Sequence, residues 1–193
     1  IFFLFSLLLE SKSICIPSSV VKFEDGWCKN VEKLIKFEVD PNNKHFINYK
    51  DEFILGKTDE NNDIFDVIIF ARRDLEQATI PTFIKKINSY AFSRCNKLQS
   101  IEIPCHVTTI DRFAFGSCIN LKNIYFEDNS ELNVLNLDAF DANLIENFTI
   151  PEKVVDVLES EVAYRKKPIK LNIDSNNKNL IIYKDGLILG KTD

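Results

Sequence analysis

A solenoid of stacked coils, with short strand meanders let into it, is the fold class this sequence predicts, and three observations predict it. First, residues 80–102 are followed at once by a second copy, with eight features recurring at a shift of 23 residues: Ile80/Ile103, Pro81/Pro104, Ile87/Ile110, Ala91/Ala114, Phe92/Phe115, Cys95/Cys118, Leu98/Leu121 and Ile101/Ile124. A fixed period in the twenties marks units that bury a core only by stacking on one another. Second, residues 42–70 abandon that pattern for short apolar runs separated by Asn, Asp and Gly, which read as strands and turns. Third, a longer period of 134 residues lays 150–193 on 16–59 without a gap. Asn176-Asn177-Lys178 repeats Asn42-Asn43-Lys44, Tyr183-Lys184-Asp185 repeats Tyr49-Lys50-Asp51, and Leu189-Gly190-Lys191-Thr192-Asp193 repeats Leu55-Gly56-Lys57-Thr58-Asp59.

In chain order, residues 1–12 are an apolar segment whose start, IFFLFSLLL, fits either a clipped secretory signal or a buried piece of a preceding repeat. A single solenoid is expected over 13–193. Its first coil, 16–38, carries Ile16-Pro17, then Trp27-Cys28 where Ala91-Phe92 stand, then Leu34, Phe37 and Val39 where Leu98, Ile101 and Ile103 stand. The second unit, 39–79, is stretched by the 42–70 meander, with strands expected at His45 to Tyr49, Phe53 to Gly56 and Phe65 to Phe70, before Leu75, Ala78 and Ile80 restore the coil pattern. Coils 80–102 and 103–125 are regular. Coil 126–149 places Leu137, Ala139-Phe140, Ile145, Phe148 and Ile150 in the repeat positions; coil 150–172 is degenerate, with Glu161-Val162 where Ala-Phe is expected. Residues 173–193 start a second meander without counterparts of Phe65 to Phe70, so further repeats of the same chain are expected beyond Asp193.

Within a coil, alternation in Leu98-x-x-Ile101-x-Ile103 turns Ile101 and Ile103 inward and Glu102 outward. Pro104, lacking an N–H to donate, ends the strand. Val107 and Ile110 face inward on the returning side, Phe113, Ala114 and Phe115 supply bulk at a corner, and Cys118 and Leu121 lead to the next strand. Six or seven buried side chains at roughly 1.5–3 kcal/mol each offset the ordering entropy of a coil, about 1–2 kcal/mol per residue, only once hydrogen bonds are added. One coil alone is therefore not expected to fold.

Five cysteines fit neither a paired disulfide framework nor a zinc site. Cys95 and Cys118 fall in one column and read as packed thiols, although coils about 4.8 Å apart also lie within disulfide range, roughly 4.4–6.8 Å between Cα atoms. Cys28 falls on a core position; Cys15 and Cys105 fall on outward ones.

Hydrophobic content of 45% with 27% charged residues suits a folded chain, and a net charge of −5 with scattered Lys and Arg argues against a nucleic-acid partner. No apolar run approaches the roughly 18 residues of a membrane-spanning helix. Searches for chemistry find little. Gly56-Lys57-Thr58 matches the tail of a phosphate loop, but Asp51 stands where its first glycine belongs. Cys105-His106 does not make a dyad by adjacency, and His45 lies in another unit. Asp59-Glu60-Asn61-Asn62-Asp63 lacks calcium-loop spacing and reads as a solvated turn. Asn147-Phe148-Thr149 is a glycosylation sequon in an expected strand. Neither catalysis nor a cofactor is expected.

The unit Ile-Pro-x-x-Val/Ile-x-x-Ile-x-x-x-Ala-Phe-x-x-Cys-x-x-Leu-x-x-Ile, as it stands at Ile80 to Ile101 and at Ile103 to Ile124, resembles the BspA-like class of leucine-rich repeats. Phe37-Glu38-Val39-Asp40-Pro41-Asn42-Asn43-Lys44-x-Phe46 resembles the hairpin unit that interrupts such repeats. The resemblance implies a leucine-rich-repeat solenoid, α/β or mostly β, with a parallel strand ladder on its concave face and inserted β-hairpin or meander units. It also implies a secreted or surface-displayed antigen or adhesin of the kind found in certain bacteria and protozoan parasites. An intracellular interaction scaffold of the same fold is the alternative.

Without catalysis, surface is what remains. The outward residue between the last two inward ones gives the column Glu38, Thr79, Glu102, Tyr125, Thr149 and Asn172, and beside it run Lys36, Gln77, Ser100, Asn123, Asn147 and Lys170. A polar ladder with one Tyr suits a protein or glycan ligand.

Overall fold

The computed structural model describes residues 10–140, 148–158, 171–182 and 188–190. In chain order its strands are β1 (Ser13–Ile16), β2 (Lys36–Val39), β3 (Ile47–Tyr49), β4 (Phe53–Gly56), β5 (Val67–Ala71), β6 (Lys86–Ile87), β7 (Ser100–Ile103) and β8 (Thr109–Ile110). They continue as β9 (Asn123–Phe126), β10 (Val134–Asn136), β11 (Phe148–Ile150), β12 (Asp156–Leu158), β13 (Leu171–Ile173), β14 (Leu180–Ile182) and β15 (Ile188–Gly190). One 3-10 turn, Leu137–Ala139, is present among the described residues. The solenoid is thus mostly β.

The expected inward and outward alternation forms parallel strand pairs on one side of the coils, in three separate two-stranded pieces. β1 pairs with β2, β7 with β9 and β11 with β13, and the registers align Ile14 with Phe37, Ile101 with Ile124 and Phe148 with Leu171. In β7 the alternation is complete, since Ile101 and Ile103 are buried while Ser100 and Glu102 are exposed.

The return side carries a second ladder, and the meander is built into it. β3, β4 and β5 are antiparallel, and β5 then pairs in parallel with β6, and β6 with β8, to make one five-stranded sheet. The last meander strand therefore stands where an ordinary coil places a return strand, which is how the 39–79 unit keeps the stacking frame. All four residues of β4 are buried. Phe53 and Leu55 join the main core, whereas Ile54 joins a second core with Trp27, Phe37, Phe46 and Phe70. A strand covered on both faces reads as a continuous apolar run.

At the corner, the backbone stitches coil to coil. Ala71 N–H donates to the Ala91 carbonyl at 2.9 Å, Phe92 N–H to Ala114 at 2.8 Å and Phe115 N–H to Ala139 at 2.8 Å. Inside this seam the rings of Phe92 and Phe115 stack at 4.9 Å and those of Phe115 and Phe140 at 5.4 Å; Phe53 meets Phe92 edge-on at 5.9 Å. Ala beside the seam leaves room for this close approach. Phe113, expected to supply bulk at this corner, is half-buried there and stacks on Tyr90 at 5.3 Å. Its φ of 57°, matched by 60° at Tyr90, holds the corner in the left-handed region. That conformation costs roughly 1–2 kcal/mol per residue, which the ring stack partly offsets.

Arg73 locks the two cores together. Only 3% exposed, it donates Nε–H to the Val31 carbonyl at 2.9 Å, Nη1–H to Ala91 at 2.7 Å and Ala71 at 3.3 Å, and Nη2–H to Tyr90 at 3.2 Å and Cys28 at 3.4 Å. Its guanidinium also lies 4.1 Å from the Phe70 ring centroid. Cys28, Cys95 and Cys118 are buried, Cys15 is exposed and Cys105 is intermediate, and all five are thiols. Burial pushes the Cys28 and Cys95 thiols upward, opposed by the nearby Arg73 charge.

Candidate functional site

All six residues of the outward column are exposed where the structure places them. Register sets Glu102 against Tyr125 and Thr149 against Asn172. Tyr125 and Thr149 both line a groove of about 620 Å³, so these four residues form one continuous stretch of surface. Glu38 belongs to the separate β1–β2 pair, opposite Cys15. Thr79 lies outside any strand, because residues 77–80 leave the stretched meander unit in irregular backbone. Ser100 and Asn123 of the second column pair with each other; Asn147, Lys170 and the Glu161-Val162 position lie outside the described residues.

The groove runs across the ends of β9, β11 and β13. Tyr125, at 57% exposure, forms part of its wall beside Asn123, and the turns that follow the strands supply Glu127, Asp128, Glu152 and Asp174. Two of these carboxylates have local work: Glu127 accepts the Cys105 N–H at 3.0 Å, and Asp174 accepts the Asn176 N–H at 2.8 Å. Reasoning on the strand column alone missed this acidic lip. Its signal was present just beyond the column: where neighbouring coils have Pro81-Thr82 and Pro104-Cys105, the next has Glu127-Asp128.

A larger groove, about 800 Å³, lies on the return side among Lys22, Asp25, Asn88, Asp111, Arg112 and Asn136. Two of its charged residues pair with side chains beside the groove: Asp111 with Lys86 at 2.9 Å and Arg112 with Asp138 at 3.5 Å.

The sequence fragments with enzyme-like spelling have structural roles. Thr58 donates both its N–H and its hydroxyl to the buried Asp66 carboxylate at 2.8 Å, closing the loop between β4 and β5. A side chain at Gly56 would bring a Cβ within 3.0 Å of Ile69, and Lys57 lies over the Phe65 ring at 4.8 Å. Asp59 and Asn62 accept backbone N–H groups two residues on, at 2.9 Å each. His45 contacts Glu60 at 2.7 Å and His106 contacts Glu131 at 3.3 Å. Among the described residues no group of three or more His, Cys, Asp or Glu converges on a metal position, and no helix is long and apolar enough to cross a membrane.

A family model for the BspA type leucine-rich repeat region matches residues 64–183, in six copies. The chain belongs to that family. Solved structures with the same fold include the pneumococcal vaccine antigen PcpA, at 20% identity and a TM-score of 0.70 over 86% of this chain and 39% of that one. A leucine-rich cell surface protein from Faecalibacterium prausnitzii is similar at 21% identity and a TM-score of 0.65, over 76% of this chain and 38% of that one. The chain thus spans about two-fifths of either. A search of curated proteins gave no match. The leucine-rich repeat assignment accounts for the stacked ladders and for the seam at the Ala-Phe corner.

Proposed function

We propose that this chain is a non-catalytic binding module of a surface or secreted protein, which contacts a protein or glycan ligand through the ladder face around Tyr125. The observation that carries the reading is Tyr125 itself. Its neighbour Ile124 is buried at 4% while Tyr125 stands 57% exposed beside a groove, so the strand turns the ring outward without using it in the core. Exposed aromatic side chains, with only two rotatable bonds, bring large contact area at low entropic cost on binding. Glu102, Thr149 and Asn172 would add polar contacts along the same line, with Glu38 and Thr79 as outlying members.

Surface display is supported by family membership and by the cell-surface protein among the similar structures. An array of glycans and peptides probed with the wild-type chain, Tyr125→Ala and Glu102→Lys tests the reading. Loss of the same spots in both variants is expected. Unchanged array profiles would remove the ladder face from consideration.

A further inference from the structure

We infer that the groove beside Tyr125 takes an extended, positively charged peptide, an inference that rests on the ladder face being the binding surface. Four carboxylates, Glu127, Asp128, Glu152 and Asp174, line this groove and, among the described residues, no Lys or Arg does; Lys153 sits next to it with its ammonium 3.3 Å from the Asn129 carbonyl. A lining of one sign between low-dielectric walls focuses the field on ligands of opposite charge. A sulfated or phosphorylated ligand meets the wrong sign there.

The spread of the acids separates a peptide from a metal ion. They leave three successive strand ends, β9, β11 and β13, and form no convergent ligand set. Coils stack at about 4.8 Å, so the outer acids are on the order of 10 Å apart, a span that suits separate cations along an extended chain, whose same-side residues repeat at about 7 Å. The Tyr125 face offers a cation–π position beside them. Neighbouring coils place Glu102 and Thr149 at the same point, so packing does not demand the ring.

Fluorescence anisotropy with a labelled decapeptide of alternating Arg and Ser, its Glu/Ser counterpart and labelled cellohexaose decides the matter. The Arg/Ser probe should bind at low salt and weaken as salt is raised, while the Glu/Ser probe should not bind. Tyr125→Ala should weaken the Arg/Ser probe about fivefold, and Asp128→Asn with Glu152→Gln about tenfold. Glu10→Gln with Glu76→Gln makes the same change in net charge at exposed sites away from the groove and should leave binding unchanged; matched melting curves establish that all variants fold. If the remote pair weakens binding as much as the groove pair, the inference fails as mere bulk charge. Cellohexaose binding that depends on Tyr125, without peptide binding, would overturn the peptide inference and keep the ladder-face reading. Insensitivity of every probe to Tyr125→Ala would overturn both.

Discussion

Asn43 and Asn177, 134 residues apart in the chain, make the same four hydrogen bonds. Asn43 Nδ2 donates to the carbonyls of Pro17 at 2.8 Å and Val20 at 3.0 Å, while its Oδ1 accepts the N–H groups of His45 and Phe46 at 2.8 and 2.9 Å. Asn177 Nδ2 donates to Pro151 at 2.8 Å and Val154 at 2.9 Å, and its Oδ1 accepts from Asn179 at 2.8 Å and Leu180 at 3.0 Å. Each buried carboxamide ties the start of a meander to the coil before it. The strands that follow keep the same register: Ile47 opposes Leu55, and Ile181 opposes Leu189.

Removing this clamp should be costly. Asn43→Ala leaves two carbonyls and two N–H groups without their partner, so a loss of about 2–3 kcal/mol is expected. Asn43→Asp should be worse at neutral pH, because a buried carboxylate then faces two carbonyl oxygens. Urea unfolding of both variants checks the order.

Phe115→Asp puts a charge between two stacked rings and should unfold the central coils, a loss of about 4 kcal/mol or more. Glu102→Ala, on the exposed side of β7, should change stability by less than about 0.5 kcal/mol. Thermal melts of the pair report which way each residue faces.

How legible was all this? The inward residues of the described coils and the meander strands follow from apolar spacing, since that spacing fixes which side chains meet, and the 134-residue period follows from recurring residues such as Asn43 and Asn177. Thr79 escaped because a column position predicts direction only where the backbone is extended. The stack of Phe113 on Tyr90 was not legible, because a positive φ outside glycine leaves little mark in sequence. Arg73 looked like one scattered cation among others; its burial depends on carbonyls from two remote segments, 28–31 and 90–91, that meet it only in the fold. The acidic lip at Glu127 and Glu152 sits one or two residues past the strands, where no periodicity constrains identity.

Arg73→Met should therefore destabilise the junction between the two cores by about 3 kcal/mol or more, since several buried carbonyls lose their donor. Arg73→Lys should recover only part of this, because a single ammonium cannot span the five carbonyls that the guanidinium reaches. Hydrogen exchange should show residues 28–34 and 90–95 opening first in the Met variant.

The raised thiols predict an alkaline weakness. A group whose folded pKa lies above its unfolded value, 9.0 for these thiols, contributes stability that is whole below that value and is lost as pH rises toward the folded pKa. Stability should fall above pH 9 by at most about 1.4 kcal/mol per pH unit for each thiol. Cys28→Ala with Cys95→Ala should flatten that decline relative to the wild type, as urea midpoints between pH 8 and 11 will show.

Chemical-shift mapping of the ¹⁵N-labelled chain during titration with the Arg/Ser decapeptide tests most directly where this module binds. Shifts concentrated at Tyr125, Asp128, Thr149 and Glu152 are predicted. Shifts confined to the return-side groove around Asp25 and Asp111, or spread evenly over exposed carboxylates, would contradict the assignment of binding to the ladder face.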